Sequence, residues 1–389
     1  MKRIYLDYAA TTPIDKRIAN RMRDFELEFF GNPSSVHREG QNARAKIDTA
    51  RASIAKFFNA VPQEIVFTSG ATESNNHAVQ GVVSYCLREL SIKPHVITTG
   101  LEHQSVYNLV KNLEKQNIIE ATFVKPNKEG MIKTEQIIKE IKDNTVLVSV
   151  IFISNEIGSV LPIRELGNYL AEYNKTTQKK VLFHIDAVQA VKFYNCNVEK
   201  LGVDLMTFSA HKINGPKGIG GLFIKTGTKL GNLMYGGSQE YDRRPGTQNS
   251  PGIIGMAYAY ELLGRLEERQ KRAEQTRKLT DKIRKELKHK RIDFNTPTSS
   301  EFSAPDIINF SVKDCDQDTL IAKLDLDGIA ASTGSACASG SSEPSHVIKS
   351  LGKFTKEESA TLRLSLGKES TLSEINFTIK ILKSILSQE

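Results

Sequence analysis

The chain has 389 residues, a formal net charge of +8, 39% hydrophobic and 25% charged residues, an ordinary balance for a globular protein and enough length for a large core with a second unit beside it. No apolar run approaches the ~18 residues of a membrane helix, residues 1–8 lack the apolar core of a secretory leader, and no aromatic–basic interleaving marks a nucleic-acid surface. A cytoplasmic protein with no membrane and no direct nucleic-acid contact is therefore expected. The four cysteines, Cys86, Cys196, Cys315 and Cys337, show no C-x-x-C spacing, which argues against a metal site built on them and against a disulfide scaffold.

From about residue 15 to 262, short β-branched runs alternate with helical periodicity. The pattern predicts strands at 64–69, 95–99, 121–124, 145–153, 181–186, 205–209 and 220–225, and helices at 18–30, 41–58, 71–90, 102–116, 134–142 and 164–174. Such alternation implies an α/β fold, a mainly parallel seven-stranded sheet covered on both faces, with its site at the carboxyl ends of the strands. A helical pattern over 253–288 is apolar at Met256, Ala259, Leu262, Leu263 and Leu266 and charged beyond; it reads as one connector helix with a solvated second half. The remainder predicts a strand at 307–312 and helices at 316–326, 355–361 and 372–386. The expected division is a large unit, 15–262, and a smaller α+β unit made of 1–14 and 263–389.

Four local motifs fall where that architecture puts a site. Thr68-Ser69-Gly70-Ala71-Thr72-Glu73-Ser74 lies at a strand-to-helix junction, where free N–H groups and the helix dipole attract an anion; seen alone, such a motif is more often an ordinary N-cap. His184-Ile185-Asp186-Ala187-Val188-Gln189 ends a β-run. Asp186 there is a candidate partner for a protonated ring nitrogen, a metal ligand together with His184, or a structural cap. Ser209-Ala210-His211-Lys212 precedes a glycine-rich run that has neither the P-loop nor the Rossmann order; Lys212 just past a strand end suits a Schiff-base amine, against the plain reading of a surface charge. Residues 332–342, Ser-Thr-Gly-Ser-Ala-Cys-Ala-Ser-Gly-Ser-Ser, surround Cys337 with no large apolar side chain. That composition suits a presented thiol rather than a core one. Downstream, Arg363 alternates with leucines, as a guanidinium does when it meets a carboxylate, either a substrate's or another side chain's.

A carboxylate for a pyridinium nitrogen, a lysine for an aldehyde and a helix N-terminus for a phosphate are together the parts of a pyridoxal phosphate site. The chain resembles the cysteine desulfurases of the NifS/IscS type, in the class V aminotransferase group of fold-type I enzymes. The resemblance is carried nearly end to end by Tyr5-Leu6-Asp7-Tyr8-Ala9-Ala10-Thr11-Thr12-Pro13, Gly31-Asn32-Pro33-Ser34-Ser35-Val36-His37, Ala71-Thr72-Glu73-Ser74-Asn75-Asn76, Glu102-His103, Asn155-Glu156-Ile157-Gly158, Arg243-Arg244-Pro245-Gly246-Thr247 and Gly334-Ser335-Ala336-Cys337.

The resemblance implies that Lys212 holds the cofactor aldehyde, Asp186 bonds the pyridine nitrogen, Gln189 the ring hydroxyl, and His103 stacks on the ring and shuttles protons. It implies that Ala71, Thr72, Ser209 and His211 hold the phosphate, with Thr247 reaching in from the partner subunit of a homodimer. Asn155 and Arg363 then position the carboxylate of L-cysteine, and Cys337 accepts its sulfur and passes it to an acceptor protein, for iron–sulfur cluster assembly or for tRNA or cofactor thiolation. No metal is called for. Thr333 stands where serine is usual, and the short stretch after Arg363 bears on which acceptor is served, not on the chemistry. A selenocysteine lyase or an aminotransferase on the same fold is the alternative expectation, although an aminotransferase has no need of Cys337.

Overall fold

The computed structural model describes residues 3–177, 180–333, 345–353 and 359–387. Its strands are β1 (Ile4–Tyr5), β2 (Ile65–Thr68), β3 (His95–Thr99), β4 (Glu120–Val124), β5 (Thr145–Ile151), β6 (Leu182–Asp186), β7 (Leu205–Ser209), β8 (Gly220–Ile224), β9 (Ile292–Phe294), β10 (Ile307–Lys313), β11 (Ile329–Ala330) and β12 (Ser359–Ser365). Seven of them make one sheet in the order β2-β8-β7-β6-β5-β3-β4. The pairs from β7 through β4 are parallel, whereas β8 runs antiparallel to both β7 and β2. Strands β5 and β7 are buried along their whole length, which is why Val-Leu-Val-Ser-Val-Ile and Leu-Met-Thr-Phe-Ser show no apolar–polar alternation: both faces are covered.

Strand order reverses between β3 and β5. The chain leaves β3 outward to β4, then returns to β5 and builds β6 and β7 in the other direction. The loops that follow β3 and β5 therefore diverge at a topological switch point, where an open α/β sheet leaves a crevice. The helix Ala71–Glu89 packs against β5, β7 and β8, with its first turn at the same end of the sheet.

A second apolar cluster lies apart from the sheet core. Ile4, Leu6, Ile283, Leu287, Phe310, Leu362, Leu364, Ile375 and Leu382 belong to it. It is built on the antiparallel sheet β12-β10-β9, in which Asn309 faces Arg363, and on the parallel pair β1–β11. The helices Leu266–Glu286 and Leu372–Ser387 pack on one another beside it. Among the described residues no helix is long and apolar enough to cross a membrane.

Two expectations are corrected. The single connector helix over 253–288 is two helices, Ser250–Leu263 and Leu266–Glu286. The break falls at Gly264, whose φ of 74° is the left-handed region that favours glycine, and the second helix restarts with the Arg265 N–H on Glu268 Oε2 at 3.2 Å. The helix expected over 355–361 is overturned in its described part: Ser359–Thr361 open β12, paired with β10 from Lys313 to Ser311. Helical propensity there loses to a strand partner distant in sequence. Shorter helices also end early, as in Thr134–Ile138.

Candidate active site

A cavity of about 510 Å³ opens at the carboxyl ends of the central strands. β6 delivers Asp186 as its last residue, and Asp186 lines the cavity while only 4% exposed. Its Oδ2 accepts a hydrogen bond from Asn75 Nδ2 at 2.9 Å and its Oδ1 one from the Val188 N–H at 3.0 Å. Three residues on, Gln189 also lines the cavity; its Nε2 donates to the Ala9 carbonyl at 3.0 Å, but its buried Oε1 has no hydrogen-bond partner. A buried acceptor without a donor is costly unless something else fills that role.

β7 ends at Ser209, and Lys212 follows within a turn, on the cavity wall. Lys212 Nζ donates to the carbonyls of Ala9 at 2.7 Å and Ala10 at 2.5 Å. Burial, then the positive charges of Arg363 and Lys192, lower its ammonium to about 7. The amine is consequently part-neutral, and nucleophilic, near neutral pH.

His103 caps the helix Gln104–Lys115, a role that fixes its ring: Nδ1 accepts the Ser105 N–H at 3.1 Å and lies 2.8 Å from Ser105 Oγ. Asn75 Nδ2 also donates to Ser105 Oγ at 2.8 Å. Asp186, Asn75, Ser105 and His103 thus form one connected chain of hydrogen bonds. Burial, with a further push from Lys212, lowers the His103 pKa, so the ring is neutral with Nδ1 as acceptor.

The first turn of Ala71–Glu89 places Ala71 and Thr72 on the cavity, beside Ser209 and His211. First-turn N–H groups have no partner within a helix, so this corner suits an anion. Burial, then the charges of Lys212 and Lys217, push His211 down to about 3, leaving it a neutral donor or acceptor. Lys217 lines the same cavity and supplies positive charge.

Asn155 lines the cavity as well, at the loop after β5. Arg363 does not. Its Nη1 donates to the Asn155 carbonyl at 2.9 Å and its Nη2 to Asp7 Oδ1 at 2.6 Å, with the side chain 1% exposed. Thr247 also lies outside this cavity; it lines a smaller one of about 130 Å³ that shares Ser69, Gly218 and Ile219 with the first. Cys337 lies outside the described residues. The flanking residues that are described stay close to the site: Ser332 and Arg363 exchange backbone hydrogen bonds, Ser345 Oγ donates to Glu156 Oε2 at 2.5 Å, and His346 Nε2 lies 2.8 Å from the Glu102 carbonyl.

The metal-pair reading of His184 and Asp186 fails on geometry. His184 Nδ1 is 2.8 Å from Ser149 Oγ and Nε2 is 3.1 Å from Thr207 Oγ1, so hydroxyls on the neighbouring strands occupy both ring nitrogens, and burial holds its pKa down to about 3. Sequence reasoning left Asn75, Ser105 and Glu102 without roles. Glu102 is fully buried, its Oε1 accepting from Thr99 Oγ1 at 2.6 Å and the Ile151 N–H at 2.9 Å, and burial pushes its carboxyl up to about 8. It thereby ties the loop that aims His103 to the end of β5. The signal for Asn75 and Glu102 was that they stand within motifs that carry the family resemblance, and for Ser105 that it lies two residues from His103.

Comparison with known proteins agrees with this geometry. The aminotransferase class-V family model matches residues 4–377. The protein named cysteine desulfurase IscS from Dictyoglomus turgidum is 41% identical over 100% of this chain and 96% of its own, and that of Methanosarcina thermophila 36% over 100% and 93%. Among solved structures, a NifS-like protein superposes with a TM-score of 0.88 at 34% identity, covering 99% of both chains. A structure described as SspA in complex with cysteine superposes at 0.79 and 32% identity, covering 93% of this chain and 98% of that one.

Proposed function

The chain belongs to the aminotransferase class-V family, and we propose that within it this protein is a pyridoxal phosphate-dependent cysteine desulfurase that converts L-cysteine to L-alanine and carries the sulfur as a persulfide on Cys337. The observation that carries the reading is the convergence of Asp186, Gln189, His103 and Lys212 on one cavity with a helix N-terminus at its far corner. The residues fit the cofactor. Asp186 offers a carboxylate for a ring N–H, Gln189 Oε1 is a buried acceptor that needs a donor such as a ring hydroxyl, and Lys212 is an amine with a lowered pKa. Ala71, Thr72, Ser209 and His211 surround the anion corner, and Thr247 completes it from the second subunit of a homodimer. In this reading 15–262 is the cofactor-binding unit, and 1–14 with 263–389 carries Cys337.

Bound there, pyridoxal phosphate supplies an electron sink for the charge left when the substrate loses its Cα proton. The protein does the rest. Asp186 holds a proton on the ring nitrogen, and Asn75 keeps that carboxylate aimed. Lys212, with its amine near neutrality at pH 7, is matched to take and return a proton at Cα. The His103 face confines the ring, and its neutral imidazole is suited to move a proton to or from sulfur. Asn155 and Arg363 receive the substrate carboxylate. In net terms the substrate Cβ–S bond breaks, an S–S bond forms at the Cys337 thiolate, and a proton replaces sulfur on Cβ. The persulfide then passes to an acceptor protein serving iron–sulfur assembly or thiolation.

The test is alanine and sulfide release from cysteine by purified protein, with and without a keto acid, beside a Cys337→Ala variant. Keto-acid-independent alanine formation that Cys337→Ala lowers by about 10³-fold or more, with cofactor retained, is the expected result. Wild-type alanine formation by Cys337→Ala would remove the thiol from the mechanism. Trapping partners as mixed disulfides at Cys337 identifies the acceptor.

A further inference from the structure

The strand that leads into the anion corner, β2, is one of the two edge strands of the seven-stranded sheet. Side chains close its outer edge. Arg51 Nη1 donates to the Ile65 carbonyl at 2.7 Å, and the Phe67 N–H donates to Glu240 Oε2 at 2.8 Å. The two side chains are themselves joined by a two-pronged ion pair, Nη1 to Oε2 at 2.6 Å and Nη2 to Oε1 at 2.7 Å, both almost wholly buried. The guanidinium carbon sits 4.4 Å from the centre of the Phe67 ring and 5.2 Å from that of Tyr241. A charge taken so far from water survives only with every such partner in place.

The same carboxylate organises a second segment. Glu240, Tyr241 and Asp242 have φ of 49°, 59° and 62°, three successive residues with side chains in the left-handed region, which such residues occupy only when their surroundings impose it. Arg51 contacts this segment twice: it holds the Glu240 carboxylate, and its guanidinium faces the Tyr241 ring. The segment then closes on itself, with the Gly246 N–H on Gln239 Oε1 at 2.9 Å and Gln248 Nε2 on Glu240 Oε1 at 3.3 Å. Thr247 lies between those two ties. Arg244 reaches Glu73 (Nε to Oε1, 2.8 Å) in the first turn of the cradle helix, and Glu73 Oε2 accepts the Ser69 N–H at 2.8 Å.

We propose that Arg51 and Glu240 are positioning residues for phosphate recognition: one buried ion pair sets both the end of β2, which leads into Ser69–Thr72 of its own site, and the strained 239–248 segment, which presents Thr247 to the site of the second subunit. Neither residue touches the phosphate. A pair that served stability alone would be replaceable by apolar side chains of similar volume; this one spends its donors and acceptors on the backbone and side chains that lead to the anion corner. The proposal rests on the reading of Thr72 and Thr247 as phosphate contacts.

The test uses the full-length protein freed of cofactor and measures affinity for pyridoxal phosphate and for pyridoxal, which lacks the phosphate, together with the thermal midpoint of the cofactor-free protein. The double variant Arg51→Met/Glu240→Leu is expected to bind pyridoxal phosphate about 10–100-fold more weakly, with pyridoxal affinity within about twofold of wild type, and with a lowered midpoint because the Ile65 carbonyl and the Phe67 N–H lose their partners. Glu240→Gln, which keeps the volume and one acceptor, serves if the double variant does not fold and is expected to lose a smaller factor in the same ratio. Equal losses for both ligands, or no loss, overturn the proposal. Thr72→Ala and Thr247→Ala separate the underlying reading: if they lower the phosphate-specific ratio and the ion-pair variants do not, only this proposal falls; if they leave it unchanged, both fall.

Discussion

The two halves of the candidate site are built differently. The ring half is made of residues at adjacent strand ends, and its members bond directly to one another through Asn75 and Ser105. The proposed carboxylate half centres on Arg363, which sits on a different sheet and already donates to Asp7 and the Asn155 carbonyl. The first half is preorganised for a bound ring, with an unpartnered acceptor on Gln189 awaiting it. The second holds its charge in an internal pair that, on the proposed reading, a substrate carboxylate displaces or shares. Preorganisation therefore belongs to the resident group, and exchange to the one that comes and goes.

Lys212→Ala gives the largest expected break in the ring half. Turnover should fall by about 10³-fold or more, and borohydride should no longer fix pyridoxal phosphate to the protein; fixation at another lysine would reassign the site. Arg363→Ala probes the other half. A charge-assisted bond lost to substrate is expected to raise KM for cysteine by about 10–100-fold with the cofactor spectrum intact, and a change in the cofactor spectrum instead would place Arg363 in the ring half. Asn75→Ala should cut kcat by about tenfold, the cost of one hydrogen bond to a charged group, and shift the cofactor absorbance, since Asp186 loses its orienting donor. Asp7→Asn is the sharpest test of displacement. If Asp7 competes with substrate for Arg363, KM falls by about threefold while kcat holds; a raised KM would mean that Asp7 aims the guanidinium instead.

The smallest effect concerns Glu102. Burial raises its folded-state value to about 8 from an ordinary 4.5, so the folded protein keeps a proton that the unfolded chain gives up. The contribution of Glu102 to stability should accordingly decline as pH rises from about 4.5 to about 8 and level off above. Glu102→Gln is expected to flatten that decline in thermal midpoints measured from pH 5 to 8; an unaltered slope would assign it to other groups.

The convergence of Asp186, Ser209 and Lys212 on one cavity was legible in the sequence for a physical reason. Asp186, Ser209 and Lys212 lie at the ends of apolar β-branched runs, and strand ends are where an α/β sheet puts chemistry. The seven strands were legible too, because doubly covered strands read as unbroken apolar runs such as Thr145–Ile151. The gap at Gly264 was visible as a residue but not as a break, since one glycine inside a helical pattern is tolerated as often as not.

The amino-acid order by itself thus determined the alternation of elements, the strand ends that bring Asp186, Ser209 and Lys212 to the cavity and the motifs that carry the family resemblance, since each depends on neighbours a few residues apart. Only the tertiary structure decided that Asn75 and Ser105 link Asp186 to His103, that Arg363 pairs with Asp7 across the chain, that Ser359–Thr361 join a strand, and that Arg51 holds Glu240 in a left-handed turn. Those contacts join residues up to hundreds of positions apart, and their energy comes from burial and exact partnering, neither of which leaves a local pattern in the chain.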